Sequence, residues 1–291
     1  MKRINLSDRL TFVGFTIIPL GLYAVFYVFQ VFCGIFYSFT DWNGMSIDYK
    51  LVGFRNYGIL FTNPVFWRSL RTTFRYAAYL VVFTMVLALV LALALDSLKV
   101  FKTFLKSIYF LPAMLGAVTV ALIWNQIYFR ALPVIGNALN IGLLKQSPLG
   151  SPKTTLLATV FINVWQAVAI PTIIFIAGLQ SVPRELYESA EIDGASALQR
   201  FRFITMPGIF PIFIVNLVLL VKAGFTAFDY PYTLTGGGPA RATEVIAIAI
   251  INDAFVNYRF SMANAEAAIL FIIIASISFI QIRFSSKGMG R

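Results

Sequence analysis

The chain has 291 residues, of which 59% are hydrophobic and 12% charged, and its 23 Lys and Arg outnumber its 12 Asp and Glu for a formal net charge of +11. That balance is a membrane composition and excludes an ordinary soluble domain. The cations lie mainly between apolar runs rather than in a basic patch interleaved with aromatics, which excludes nucleic acid as the partner.

Six stretches, near 10–37, 74–95, 108–129, 155–179, 208–231 and 263–282, reach the roughly 20 apolar residues needed to cross a bilayer. The expected fold class is therefore all-α and polytopic, a single membrane domain over 1–291. The first run follows Met1-Lys2-Arg3 and outlasts the roughly 7 to 15 residues of a signal-peptide core, so it is expected to stay as a membrane helix. Six spans put both termini on one side. Lys2, Arg3 and Arg9, then Lys99, Lys102 and Lys106, then Arg184, Arg200 and Arg202, then Arg283, Lys287 and Arg291 fill four short segments, and the opposite loops are longer with fewer cations. The positive-inside rule assigns the four segments and both termini to the cytoplasm.

The first external loop, 38–70, mixes Trp42, Tyr49, Phe54, Tyr57, Phe61, Phe66 and Trp67 with Asp41, Asp48, Lys50 and Arg55, a density of aromatics suited to a headgroup boundary or a protein contact. In span two, Ala88, Ala92 and Ala94 allow close helix packing in lipid. Span three opens with Pro112 and Gly116 and ends in Trp124-Asn125-Gln126, amides near an outer mouth. A loop containing SPLGSP, 147–152, follows. Cys33 is the only cysteine and histidine is absent, so no disulfide framework, thiolate metal site or histidine base is available.

Span four holds Asn163, Trp165 and Gln166 before Pro171, which encourages a kink. Polar amides in an apolar zone either find partners on neighbouring helices or line water. Between spans four and five lies a charged island, 181–207. Pro183 suits a first helical turn, and Glu185, Glu188, Glu191 and Asp193 load the early part with acid, where the helix dipole favours it. Leu186, Ala190 and Gly194 recur at spacings of four as a small-residue stripe, and a second helix, 195–206, is expected to stop at Pro207. The spacing predicts a helical hairpin on the membrane surface; a merely solvated loop is the alternative.

Asn216, Lys222 and Asp229 interrupt span five, and the last two, seven apart, are expected on nearly one face. Lys222 needs an acid, such as Asp229 or Glu266, or water. The loop Thr233-Leu234-Thr235-Gly236-Gly237-Gly238-Pro239 is glycine-rich, but no Lys-Ser or Lys-Thr follows and no strand precedes it, so it is no nucleotide-binding loop. Paired catalytic carboxylates are missing as well, so the chain is not read as an enzyme.

Glu188-Ser189-Ala190, Gly194 and Ile204-Thr205-Met206-Pro207 at these spacings resemble the cytoplasmic EAA loop of ATP-binding-cassette importer permeases, with Ser189 and Met206 as size-conserving departures. Leu186-Tyr187, Ile192-Asp193-Gly194-Ala195, Phe39-Thr40-Asp41-Trp42, Val52-Gly53-Phe54-Arg55-Asn56-Tyr57 and the LTGGGP loop look like the carbohydrate branch. The resemblance covers about 39–284. It implies a type I importer fold with six transmembrane helices and a coupling helix formed by Tyr187, Glu188, Ser189, Ala190, Asp193, Gly194, Ala195, Ile204 and Pro207, docked in a cleft of a separate ATPase. Aligned through Leu179-Gln180 and Pro183, it assigns Asn163, Gln166, Ala167, Ile170, Leu220 and Gly224 to the substrate pathway.

The same resemblance implies two cytoplasmic ATPase subunits that carry ATP and Mg, with no cofactor on this chain, and a second, non-identical permease. An extracellular or periplasmic solute-binding protein would deliver a carbohydrate, and the chain would sit among membrane lipid in the bacterial cell membrane. The rival expectation is an ATP-independent secondary carrier or channel subunit, which the scarcity of intramembrane acids and the lack of an internal repeat argue against.

Overall fold

The computed structural model of the protein describes residues 6–97 and 102–288, so Lys2, Arg3, Lys99 and Arg291 lie outside the described residues. Among those described there is no strand, only one isolated antiparallel bridge between Thr40 and Leu51. α1 (Leu6–Tyr23) passes through a π-helical turn, Ala24–Val28, into α2 (Phe29–Tyr37). The short α3 (Arg55–Thr62) precedes α4 (Pro64–Ser97). α5 (Lys102–Phe110), α6 (Ala117–Gln126), α7 (Leu132–Ala138), α8 (Thr155–Ala167) and α9 (Ala169–Ser181) lead to the cytoplasmic hairpin segment. Then follow α10 (Arg184–Ile192), α11 (Ala197–Arg200), α12 (Met206–Phe225), α13 (Asp229–Thr235), α14 (Ile246–Ile251) and α15 (Phe260–Gly288).

Five helical stretches are long and apolar enough to cross a membrane: Val13–Ser38, Pro64–Ser97, Ala117–Ala138, Ala197–Thr235 and Phe260–Arg283. The pair α8 and α9 passes the same test jointly, bent by 48°, giving up to six spans. The bend falls one turn before Pro171, where the ring cannot donate to the preceding turn. This is the all-α polytopic architecture that the apolar runs require.

Local structure departs from the sequence reading at three places. The third continuous span is Ala117–Ala138 rather than 108–129, because a 3-10 turn, Leu111–Met114, and extended backbone at Leu115 and Gly116 (ψ 148 and 139) break the chain before it. Pro207 does not stop the hairpin's second helix. It enters α12 directly behind a π-turn, Phe201–Thr205, in which the Met206 N–H bonds to the Phe201 carbonyl five residues back. In that register no carbonyl four residues back waits for the proline's missing N–H. Lys222 and Asp229 do not share one helical face, because α12 ends at Phe225 and Phe228 turns away (φ −137, ψ −52) before α13 begins.

The chain forms two compact units, Met1–Phe66 with Ile250–Phe271, and Trp67–Ala249 with Ile272–Arg291. In the first, the buried Asn56 amide donates to the carbonyls of Ser38 (2.8 Å) and Thr40 (2.7 Å), closing the aromatic loop onto the end of α2. The Trp42 ring stacks on Tyr37 (4.4 Å) and its carbonyl accepts from Ser261 N–H (3.0 Å).

In the second unit, Tyr76, Leu80, Thr84, Ala88 and Ala92 recur every four residues along α4 and are fully buried. This is the core-facing stripe of a helix whose opposite side, Val82, Phe83, Val86 and Val90, is exposed. The main cluster packs Ala88, Ala92 and Leu95 against Phe175, Ile176 and Leu179 of α9 and Ile209 and Leu220 of α12. Lipid removes the hydrophobic drive between helices, so close contact carries the packing. Accordingly, a Cβ at Gly178 would sit 2.8 Å from the Ile212 side chain, and one at Gly224 would sit 2.7 Å from Ala77 Cα.

Candidate functional site: the hairpin and the amide network

α10 begins after Pro183 in extended backbone and carries Glu185 in its first turn. It ends in a Schellman cap. Gly194 takes the left-handed φ of +76°, its N–H bonds to the Glu191 carbonyl (3.1 Å), and the Ala195 N–H bonds to the Ala190 carbonyl (2.8 Å). Gly194 therefore does not extend the stripe of Leu186 and Ala190: a Cβ there would meet nothing within 4 Å, and only its backbone angle requires glycine. The chain re-enters helix at once, since the Ser196 side chain and Gln199 form a reciprocal capping box.

Two contacts close the hairpin. Arg200 pairs with Glu191 across the turn at 3.2 Å, an exposed pair whose own contribution is about 0 to 1 kcal/mol. Tyr187 Oη lies 3.0 Å from Thr205 Oγ1, and Tyr187, Ile204 and Met206 pack on the main cluster. One face of the hairpin is thus fastened to the ends of the spans. The other is bare: Glu188, Ser189 and Asp193 are exposed, as are Ile192 (86%) and Leu198 (75%). Ser189 Oγ donates to the Glu185 carbonyl. Ala190 and Ala195 are half-buried and Pro207 is exposed. Between the hairpin and the end of α4 a cleft of about 820 Å³ is lined by Asp96, Gln180, Arg184 and Glu188 among others.

The residues assigned to a pathway fall into two groups. Asn163 Nδ2 donates to Tyr76 Oη (2.9 Å). Gln166 Nε2 donates to the carbonyls of Pro112 (3.1 Å) and Leu115 (2.7 Å), and its Oε1 accepts from Tyr230 Oη. Gln166 thereby joins the broken entrance of span three to span four and to α13. Ala167 is half-buried beside it, and Ile170 is exposed one turn on. Leu220 and Gly224 are buried, Leu220 in the main cluster and Gly224 against Ala77. Asn216 is buried and donates to the Pro171 carbonyl (3.2 Å), at the bend of span four.

Sequence reasoning passed over Tyr76 and Tyr230. Their signal was available, since a tyrosine inside an apolar run must find a partner for its hydroxyl. Lys222 is exposed, with its carbonyl accepting from Thr226 Oγ1 (2.9 Å). The glycine loop is folded back on itself: Gly236 caps α13 at φ +58°, and Thr243 Oγ1 meets Thr235 Oγ1 (2.5 Å) and donates to the Gly238 carbonyl (2.9 Å). Among the described residues no group of three His, Cys, Asp or Glu could hold a metal ion.

Comparison with known proteins agrees with this geometry. The chain is 41% identical over 273 residues, 94% of each chain, to the multiple sugar-binding transport system permease protein MsmF of Streptococcus mutans. It is 34% identical to a probable starch degradation products transport system permease protein, AmyD, of Thermoanaerobacterium thermosulfurigenes, covering 87% of this chain and 86% of that one. Its fold is that of a chain in the crystal structure of a bacterial ABC transporter involved in import of the acidic polysaccharide alginate. That match has a TM-score of 0.81 at 23% identity and covers 97% of this chain and 96% of that one. Residues 58–289 match the family described as binding-protein-dependent transport system inner membrane component. An all-helical chain with five or six apolar spans and this likeness over most of its length belongs to that family of inner-membrane transport components.

Proposed function

We propose that the chain is one half of the translocation pathway of an ATP-driven sugar or oligosaccharide importer, a single permease domain whose hairpin, 181–207, is the coupling element. The observation that carries this reading is the two-sidedness of the hairpin. Tyr187 and Ile204 fasten it to the spans, while Glu188, Ile192 and Leu198 stand in water on a turn held by two caps. Exposed Ile and Leu on a rigid, capped helix cost solubility unless a groove receives them, and an apolar helix face seated in a groove is a standard mode of protein recognition.

The receiving groove belongs to a cytoplasmic ATPase, two copies of which serve two permeases. ATP and Mg reside there, because this chain carries no nucleotide loop. A second, non-identical permease completes the pathway, and an external solute-binding protein delivers the sugar, as the family's dependence on such proteins supports. The termini and the hairpin face the cytoplasm. Asn163, Gln166, Ala167 and Ile170 mark the pathway side of span four. Closure of the ATPases pushes the hairpin, and because Tyr187 and Thr205 tie it to span five, the push reaches the pathway as a movement of whole helices.

The test is co-purification. Ile192→Asp and Glu188→Arg should leave the chain in the membrane with its second permease and strip away the ATPase subunits. Retention of the ATPases by both variants at wild-type stoichiometry overturns the coupling assignment.

A further inference from the structure

Arg68, Arg71 and Arg75 lie at i, i+3 and i+7 of α4, on one face of the helix, and all three are exposed. The opposite face, with Ser69, Thr72, Thr73 and Tyr76, is buried. Residues 64–79 contain no Asp or Glu, so no carboxylate on the same helix turn offsets the row, and among the described residues none of the three arginines enters an ion pair. The uncharged apolar stretch of α4 begins at Tyr76 and runs to Leu95. Arg75 therefore stands at the hydrocarbon boundary, and Arg68 stands about 10 Å farther out along the axis.

Two physical facts make this row costly to keep as decoration. The flank of a span on the external side is where Lys and Arg are rarest, yet this flank holds three within eight residues. The headgroup layer is only roughly 5 to 8 Å deep on each side, so the outer rung projects past lipid phosphates into water.

We infer that Arg68, Arg71 and Arg75 form a cationic docking rail for an acidic patch on the solute-binding protein. Its height above the bilayer selects a soluble macromolecule over a lipid headgroup, and its charge selects an acidic one. A row of exposed charges of this kind acts mainly on the encounter, raising the association rate and fixing the orientation in which the binding protein lands. The inference rests on the importer reading given above and adds to it the place and the chemistry of the external contact.

The experiment uses the complete complex, with its second permease and ATPase subunits, in vesicles of zwitterionic lipid and in vesicles with added anionic lipid. ATP hydrolysis is titrated with sugar-loaded binding protein at low and high salt. The triple variant Arg68→Ala, Arg71→Ala, Arg75→Ala should raise the half-saturating concentration of binding protein by about tenfold at low salt, in both vesicle types, and flatten its salt dependence. The triple Lys variant should stay within about threefold of wild type, since it keeps the charge. Hydrolysis without binding protein should not change. An unaltered half-saturating concentration overturns the rail. So does a shift seen only in anionic vesicles, which makes lipid the partner, or a loss confined to acidic sugars at saturating binding protein, which makes the substrate the partner. A wild-type complex that the binding protein does not stimulate overturns the importer reading, and the rail with it.

Discussion

Tyr187 Oη and Thr205 Oγ1 meet at 3.0 Å, joining the first helix of the hairpin to the π-turn that opens span five. The two residues stand 18 apart in sequence, and everything between them, including the turn at Gly194, projects from that junction. A load on the projecting end is carried to α12 through this bond and through the packing of Tyr187 on the main cluster. Tyr187→Phe keeps the ring and removes the bond, a loss of about 1 kcal/mol. The variant should assemble normally, with sugar transported per ATP hydrolysed falling severalfold. An unchanged ratio would show that packing alone transmits the movement.

Gly194 gives a graded series. Its φ of +76° strains any residue with a Cβ by about 1 to 2 kcal/mol, asparagine less, while the space around it is open. Association with the ATPase should decline in the order Gly, Asn, Ala, Val, measured as ATPase retained on the purified permease pair. Were bulk at this point the decisive property, as a close-approach stripe would require, Asn and Val would be equally harmful.

The apolar runs made the spans legible, because only a helix can satisfy its backbone within lipid, and Pro183 and the acids of the hairpin marked where α10 begins. What stayed hidden has identifiable causes. The π-turns at 24–28, 127–131, 201–205 and 252–256 each insert one residue without any diagnostic side chain, which is why Pro207 read as a stop. Spacing alone placed Gly194 on the α10 stripe, whereas the cap takes it out of the helix. The break at 226–228 separated Lys222 from Asp229 with no Pro or Gly at those three positions to announce it. Alignment put Leu220 and Gly224 on the pathway, and their burial depended on Ala77, 147 positions before Gly224, which no local pattern reveals.

Gly224 and Ala77 are therefore a testable pair. Gly224→Ala sets a methyl 2.7 Å from Ala77 Cα and Cβ, so backbone must move, at a cost of about 1 to 3 kcal/mol. The melting temperature of the purified complex should fall, and Ala77→Gly in the same chain should restore most of it. A drop in uptake with unchanged thermal stability, not rescued at Ala77, would instead make Gly224 a wall of the pathway.

Gln166 separates the two roles open to a polar residue in a span. Its amide donates to the Pro112 and Leu115 carbonyls, and its oxygen receives Tyr230 Oη. Gln166→Leu withdraws that donor from a buried chain break, costing about 1 to 3 kcal/mol. Gln166→Glu keeps the acceptor for Tyr230 but, ionised, has no hydrogen to give the carbonyls. If the network is what Gln166 serves, both variants should lower thermal stability, Glu at least as much as Leu because it adds a charge in a confined space, and Tyr230→Phe should lower it less. Uptake should then fall in proportion to the folded fraction. If contact with sugar is its main role, Leu should leave the melting temperature in place and raise the KM for uptake, since a hydroxyl-binding group would be gone while the helices stayed joined.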